Sequence, residues 1–210
     1  QGFTDKLLAT KKAYKCYCTE AEIEAERQIA QAKGETPKYS GKCAGLSEAL
    51  QKEHEEKGDN YVVRLRVPLG EQIAFNDLVR GLVSFESDGV GDFVIVKSDG
   101  IPVYNYAVVI DDLLMKISHV IRAEEHLSNT PRQILIYNAL GEEVPYFGHV
   151  SLILGADRSK MSKRHGATSV DQYRKMGFLP EGINNFLALL GWSPDDDQEI
   201  FSLDELVERF

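Results

Sequence analysis

Alternating apolar and polar positions predict β-strands in the first hundred residues of the chain. Residues 61–67 alternate as a half-buried strand does, and shorter strand-like runs follow at 73–75, 82–86 and 93–97. Glycine-rich turns separate these runs, which is typical of strands that pair with their neighbours along the chain. The pattern predicts mostly antiparallel pairing.

Two helices with recognisable ends precede these strands. Thr19 and Glu22 have the spacing of a capping box, and Gly34 suits the left-handed position just after the helix that they begin. A second, shorter helix is predicted from Ser47 to Gly58. Helices and antiparallel strands together indicate an α+β region.

Helices and strands alternate after residue 100. We expect a helix at 105–115, a strand at 119–122, a helix from Thr130 to Gly141 and a strand at 148–154. Such alternation predicts parallel strands covered by helices, with ligands bound beyond the carboxyl ends of the strands. Three further helices are predicted at 169–177, 180–191 and 202–210.

Composition narrows the class of protein. Hydrophobic residues make up 43% of the 210 residues and charged residues 27%, so a packed core is expected. No apolar run approaches the roughly 20 residues that span a bilayer. The net charge of −9 excludes a generally basic nucleic-acid coat. Three cysteines, an odd number, favour a reducing, cytoplasmic location.

A basic loop follows the last predicted strand, which ends at Leu154. Six cations and two acids between residues 157 and 175 give this stretch a charge of +4. Ammonium groups at the end of a strand are well placed to hold a polyphosphate, although a solvated surface loop would have the same composition. The cations are Arg158, Lys160, Lys163, Arg164, Arg174 and Lys175.

Several sequence blocks, in order and spacing, resemble the catalytic domain of the glutamyl-tRNA synthetase family of class I aminoacyl-tRNA synthetases. The Lys-Met-Ser-Lys-Arg block at 160–164 is similar to the nucleotide-activating signature of that class. The resemblance extends from the first cysteines to Phe210. The blocks are Asp99–Ala107, Asp111–Asp112, His119–His126, Asn129–Gln133 and Lys160–Gly166.

The resemblance implies an α/β fold, namely the second half of a class I Rossmann-like parallel sheet. It also implies an inserted α+β domain, containing zinc, that binds the tRNA acceptor end. The expected domains are residues 1–104 for this insertion, 105–168 for the catalytic fold with its basic loop, and 169–210 for the start of a helical domain that contacts the tRNA stem.

The implied reaction activates glutamate with ATP, accompanied by Mg²⁺, and transfers it to the 3′ end of tRNA(Glu). Positioning and charge stabilisation dominate such phosphoryl chemistry. Lys163 is the first candidate for stabilising the departing pyrophosphate, and Lys160 is expected to assist. The resemblance adds further ATP contacts at Glu125, His126 and the backbone of Leu152 and Ile153, although His126 also suits a structural role.

Glutamate itself is expected to bind Arg122 and Tyr104, the residues that match the amino-acid pocket of the family. A guanidinium offers a carboxylate paired, charge-assisted hydrogen bonds. The alternatives are an ion pair of Arg122 with a neighbouring acid, Glu124 or Glu125, and a packed core ring for Tyr104. Val108 replaces the amide side chain of some members, so a substrate contact there is not expected.

Cys16, Cys18 and Cys43 offer three thiolates but leave a tetrahedral zinc site one ligand short. Three free thiols are the plain alternative. Many members of the family carry a structural zinc here. Where some members complete the site with a histidine this chain has Gly45, whereas others use a tyrosine at the position of Tyr39. His54 or water would be other fourth ligands.

No His-x-Gly-His-like motif, which class I synthetases need, occurs in these residues. The chain begins at Gln1 without a methionine, so we expect an internal fragment of a monomeric enzyme, inactive alone. Two alternatives stay open: a paralogue that attaches glutamate to a modified tRNA base, and a non-catalytic acceptor-binding module. The sequence does not indicate whether the enzyme also charges the glutamine tRNA.

Overall fold

The computed structural model describes residues 1–155, 157–158, 160 and 169–210. These residues form two compact units. The first comprises Gln1–Ile121 and His126–His149, and the second comprises Arg122–Glu125 and Val150–Phe210. None of the helices in the described ranges is long and apolar enough to cross a membrane. The predicted domain boundaries after residues 104 and 168 stay a prediction.

Most elements of the chain lie in the first unit. Its helices are α1 (Gly2–Ala9), α2 (Glu20–Ala32), α3 (Glu48–Lys57), α4 (Ser87–Val90), α5 (Tyr104–Leu114) and α6 (Thr130–Leu140). The strands are β1 (Ala13–Cys16), β2 (Val62–Leu65), β3 (Gln72–Asp77), β4 (Gly81–Glu86), β5 (Phe93–Val96), β6 (His119–Ala123) and β7 (Tyr146–Val150). A 3₁₀ turn at Glu124–Asn129 links β6 to α6, and the ends of β6 and β7 belong to the second unit.

Strands β1, β2 and β5 form an antiparallel sheet, and β3 and β4 form a separate antiparallel hairpin. The predicted antiparallel character of the first hundred residues is thus confirmed. The main core packs against one face of the three-stranded sheet and against α1, α5 and α6. Its most buried members are Leu7, Leu65, Ile95, Val109, Ile136 and Tyr137.

Strands β6 and β7 pair as parallel neighbours. The N–H of Tyr146 donates to the carbonyl of Ser118 at 2.9 Å, and a Cβ placed on Gly148 would lie 3.7 Å from Ile121 Cγ1. Positions on the two strands therefore advance in the same direction, as parallel strands require. Helix α6 lies between them in sequence, as the alternating pattern predicts.

The ends of the predicted helices follow from local chemistry. Thr19 and Glu22 make both hydrogen bonds of the capping box at the start of α2. Gly58 and Gly141 follow α3 and α6 with φ of +70° and +73°, a left-handed conformation that glycine adopts without steric cost.

The predicted strand at 148–154 is wrong in its bounds. The strand ends at Val150, and Leu154 forms only an isolated bridge with Lys160. Ile153 and Leu154 are about half exposed, so this apolar run continues past the sheet edge. Helix α1 and strand β1 were not predicted, and a short helix occupies the predicted turn near Asp88.

The second unit contains three helices among its described residues. They are α7 (Val170–Lys175), α8 (Pro180–Leu189) and α9 (Leu203–Arg209). Asn185 of α8 accepts the N–H of Phe201 at 2.8 Å and donates to the carbonyl of Glu199 at 2.8 Å, which joins α8 to the chain before α9. The three helices predicted after residue 168 are confirmed.

Candidate functional site

The two faces of the β1–β2–β5 sheet have different surroundings. Because side chains alternate along a strand, Ala13, Val63 and Leu65 point into the main core. The intervening residues Tyr14 and Cys16 belong to a second cluster on the opposite face, which also contains Val62. The position of Cys16 in β1 therefore fixes the sheet face on which the cysteines gather.

The three cysteines meet on that second face. The sulfur atoms of Cys16, Cys18 and Cys43 lie within 4.8 Å of one another, and those of Cys18 and Cys43 are 3.5 Å apart. Cys16 and Cys43 are buried and Cys18 is half-buried. A group of three sulfurs at these distances is able to hold one soft divalent cation.

Tyr39 brings a fourth donor atom to the same point. Its hydroxyl oxygen lies 3.4 Å from the sulfur of Cys16 and 3.4 Å from that of Cys18. The backbone N–H of Cys43 donates to this oxygen at 2.8 Å. We name Cys16, Cys18, Cys43 and Tyr39 together the cysteine–tyrosine cluster.

The pKa values of the side chains in this cluster are shifted in different directions. Burial opposes ionisation of Cys16, but hydrogen bonds with Tyr39, Arg64 and the N–H of Cys18 lower the pKa of its thiol. Burial, the hydrogen bond with Cys43 and the charge of Cys16 raise the pKa of Cys18 to about 12. Burial likewise raises the pKa of Tyr39. A bound cation would replace these protons.

Other donors near the cluster are engaged elsewhere. The Nδ1 of His54 lies 2.7 Å from a carboxylate oxygen of Asp59, and its ring stacks on that of Tyr17 with 4.3 Å between centroids. Gly45 offers no side chain. Within the described ranges, the candidate metal-binding group consists of the three cysteines and does not include His54.

Tyr104 and His126 lie together in the first unit. Their ring centroids are 6.0 Å apart, and Tyr104 is 54% exposed, which excludes the packed core ring considered from the sequence. The Nδ1 of His126 is 3.3 Å from the side-chain nitrogen of Asn129. Asn105 links Asn129 to the buried Gln133 through hydrogen bonds of 3.4 and 2.9 Å. An amide network thus supports His126.

The second unit brings Lys160 to Glu125. The ammonium of Lys160 lies 2.5 Å from a carboxylate oxygen of Glu125, and both side chains are exposed. The neighbouring Glu124 accepts the backbone N–H of Leu152 at 3.3 Å, so one of the two backbone segments expected to bracket adenine is tied to an acid. Ile153 is 43% exposed.

Two predicted residues have no further structural test. Arg122 lies near the end of β6 and is half-buried, and its contact with glutamate stays a prediction. Lys163 and the rest of its block from 161 to 168 lie outside the described residues.

Sequence reasoning missed a fully buried polar chain in the first unit. The Nδ1 of His149 lies 2.5 Å from a carboxylate oxygen of Asp77, and its Nε2 is 3.0 Å from the hydroxyl of Thr130. These hydrogen bonds join the end of β3, the strand β7 and the start of α6. No local sequence motif predicts them, because 72 residues separate Asp77 from His149.

A family model for class I tRNA synthetases (E and Q), catalytic domain, matches residues 1–210. The chain belongs to this family. The resemblance carried by the sequence blocks is therefore confirmed, as is the coarse expectation of an α/β class I synthetase fold with a parallel sheet.

Two curated relatives match almost the whole chain. The glutamate–tRNA ligase of Carboxydothermus hydrogenoformans is 60% identical over 210 residues, which is all of this chain and 44% of that protein. Glutamate–tRNA ligase 1 of Caldicellulosiruptor saccharolyticus is 64% identical over 208 residues, 99% of this chain and 43% of that protein. The chain thus spans less than half the length of these relatives.

A solved structure has the same fold. The crystal structure of a glutamate tRNA ligase from Elizabethkingia meningosepticum, in complex with its amino acid, covers all of this chain with a TM-score of 0.85 and 36% sequence identity. The chain covers 47% of that structure.

Proposed function

We propose that this chain is part of a glutamate–tRNA ligase, which activates glutamate with ATP and transfers it to the 3′ end of tRNA(Glu). The observation that carries the proposal is identity of 60% and 64% with two glutamate–tRNA ligases across nearly the whole chain. Membership of the synthetase family and a fold shared with a further ligase support it.

The proposed glutamate contacts are Arg122 and Tyr104. The guanidinium of Arg122 would pair with a carboxylate of the substrate through two charge-assisted hydrogen bonds. An amide side chain has one acceptor oxygen beside an NH₂ donor and carries no charge, so it cannot match the two-oxygen pairing, and glutamine would bind more weakly. The ring of Tyr104 beside His126 is exposed, so a ligand could contact it.

The proposed ATP contacts are His126, Glu125 and the backbone of Leu152 and Ile153. Lys163 would stabilise the charge that develops on pyrophosphate, and Lys160 would assist. The pairing of Lys160 with Glu125 supports this placement, since it holds one cation of the basic loop beside a residue assigned to ATP. Mg²⁺ would accompany the triphosphate.

Pyrophosphate exchange in the full-length protein tests the activity. We expect exchange that depends on glutamate and is much slower with glutamine, followed by charging of the 3′ end of tRNA(Glu). Lys163→Ala should lower the exchange rate about a hundredfold or more with little change in glutamate affinity. Transfer of glutamate to a modified base instead would identify the paralogue, and binding of acceptor stems without exchange would identify the non-catalytic module.

The proposed domain roles follow the family. Residues 1–104 would bind the acceptor end of tRNA, residues 105–168 would carry the catalytic fold and its basic loop, and residues 169–210 would begin the domain that contacts the stem. Helices α7, α8 and α9 in the last of these ranges support its helical character. We place the enzyme in the cytoplasm, as three thiols in reduced form suggest.

We also propose that the cysteine–tyrosine cluster holds a structural zinc ion. Zn–S bonds of about 2.3 Å and a Zn–O bond of about 2.0 Å in a tetrahedron place sulfur and oxygen ligands about 3.5 Å apart and two sulfurs about 3.8 Å apart. The observed separations of 3.4 Å from Tyr39 to two sulfurs and 3.5 Å between Cys18 and Cys43 fit this arrangement. Four protein donors leave no open position, so the ion would stabilise the fold.

Metal analysis tests the zinc proposal. Protein purified without chelators should contain one zinc ion per chain, and Cys18→Ser should lose most of it. Zinc-free wild-type protein would contradict the proposal without bearing on the ligase activity, which pyrophosphate exchange measures separately.

A further inference from the structure

Arg64 is a buried cation on the cluster face of β2. Its side chain follows the alternation that puts Val63 and Leu65 in the main core, and only 8% of its surface is exposed. Its guanidinium carbon lies 4.0 Å from the centroid of the Tyr39 ring, and its side chain is a hydrogen-bond partner of Cys16. The guanidinium therefore touches two members of the cysteine–tyrosine cluster.

Among the described residues, the hydrogen bonds of this cation include none to a carboxylate. The Nη1 of Arg64 donates to the backbone carbonyl of Asp92 at 3.4 Å, and its Nε has no hydrogen-bond partner there. The carboxylate of Asp92 instead accepts the hydroxyl of Tyr14 at 2.6 Å and the N–H of Val67 at 2.7 Å. A buried charge is stabilised by a nearby anion, and the thiols of the cluster are groups beside Arg64 that become anionic when they bind a cation.

The zinc site proposed above would supply that anion. Three thiolates around a divalent cation carry one net negative charge, and a phenolate adds a second. We propose that Arg64 is the charge-compensating positioning residue of this site: its guanidinium balances the metal-bound thiolates and holds the Tyr39 ring for coordination. The inference rests on the zinc proposal and adds a residue that donates no atom to the metal.

Arg66, which directly follows β2 and lies two positions after Arg64, provides a comparison for Arg64. Its guanidinium stacks on Tyr14 at 5.0 Å and donates to the carbonyls of Ala44 and Lys11 at 2.8 and 3.2 Å. It is exposed, so solvent screens its charge. A role that depends on a desolvated charge therefore belongs to Arg64 and not to Arg66.

Zinc affinity of the full-length protein, measured by competition with a chromophoric chelator, tests the inference. Arg64→Met keeps the length of the side chain without its charge, and we expect zinc affinity to fall by about tenfold to a hundredfold. Arg64→Lys keeps the charge and should lose less than about tenfold, although it loses the planar stack on Tyr39. Arg66→Met should bind zinc as the wild type does.

Ionised tyrosine gives a second readout. Zinc addition should produce the ultraviolet difference absorption of a phenolate in the wild type and a weaker one in Arg64→Met, because the guanidinium no longer lies over the Tyr39 ring. A purely structural role of Arg64 would change the urea midpoint of the metal-free protein without this spectral loss.

Wild-type zinc affinity in Arg64→Met, or an equal loss in Arg66→Met, would overturn the inference. If Arg64→Met does not fold, Arg64→Lys decides alone, and a loss of about tenfold or more in that variant overturns it. Zinc binding by the wild-type protein is measured before any variant. A wild type that binds no zinc refutes the zinc proposal and this inference with it.

Discussion

At the scale of single residues, the exposed pair of Lys160 and Glu125 separates stability from catalysis. Exposed ion pairs contribute about 0–1 kcal/mol to folding because water already solvates both charges. Lys160→Met should therefore leave the free energy of unfolding within about 0.5 kcal/mol of wild type, while the rate of pyrophosphate exchange falls about tenfold or more. Urea titration and exchange assays of the full-length protein measure the two effects.

Lys175 supplies the matched control for this prediction. It pairs with Asp171 at 2.8 Å on the exposed surface of α7, and none of the proposed ATP contacts is assigned to it. Lys175→Met should change neither quantity. Equal exchange rates in the Lys160 and Lys175 variants would show that the cation of Lys160 has no part in adenylation.

Tyr39 carries the second prediction at this scale. Tyr39→Phe removes the only oxygen donor of the cysteine–tyrosine cluster and keeps the ring under Arg64, so zinc affinity should fall by at least about tenfold. Tyr61→Phe is the control, because the exposed Tyr61 ring contacts Tyr17 outside the cluster. Unchanged affinity in Tyr39→Phe would mean that water or another donor completes the site.

At the scale of secondary-structure elements, the buried pair of Asp77 and His149 ties the β3–β4 hairpin to β7. Burial opposes ionisation of Asp77, but hydrogen bonds from His149 and from the backbone N–H groups of His149, Val79 and Arg80 lower its pKa to about 2. The ordinary value is 3.8. The pair therefore stabilises the fold fully above about pH 4, and this stabilisation is lost as the pH falls towards 2.

The pH dependence of unfolding measures this pair. The difference between pKa values of 3.8 and about 2 corresponds to about 2 kcal/mol, which the wild type should lose between pH 5 and pH 2. Asp77→Asn should be less stable by about 3 kcal/mol at pH 7, with a smaller loss on acidification. Asp195 is exposed, so Asp195→Asn should lose as much unfolding free energy between pH 5 and pH 2 as the wild type does. If Asp77→Asn also loses as much as the wild type, the Asp77–His149 pair is not the cause of the acid destabilisation.

Local signals in the sequence predicted the helices and strands better than they predicted contacts between residues far apart in the chain. Thr19, Gly58 and Gly141 mark helix ends because capping depends on residues within one turn. The apolar run at 152–154 extended β7 too far, since hydrophobicity alone does not reveal where a strand loses its partner. Asp77 and His149 could not be paired, because only the folded chain brings β3 and β7 together.

The candidate site divides in the same way. The cysteine spacing left three free thiols as an alternative, and the resemblance supplied both the zinc site and Tyr39; the structure brings the three sulfurs and Tyr39 together. Arg64 was visible only as one position of an alternating strand, on the same face as Val62. Its buried position became clear once the pairing of β1 with β2 was known.

At the scale of the whole molecule, the chain spans less than half of its curated relatives and lacks the His-x-Gly-His-like motif. We expect the 210-residue chain alone to give no measurable pyrophosphate exchange, because the family resemblance assigns part of the ATP site to the motif that these residues lack. The full-length protein under the same conditions is the control. An exchange rate in the isolated chain close to that of the full-length protein would contradict the proposed division of the ATP site.

Pairing of β1 with β2 sets Ala13 opposite Leu65 and Cys16 opposite Val62. A slip of β1 by one residue would turn every side chain to the other face, burying the Cys16 thiol among aliphatic groups and leaving two sulfurs in the cysteine–tyrosine cluster. Under the zinc proposal, a chain that pairs β1 with β2 out of register would therefore offer the ion one ligand fewer.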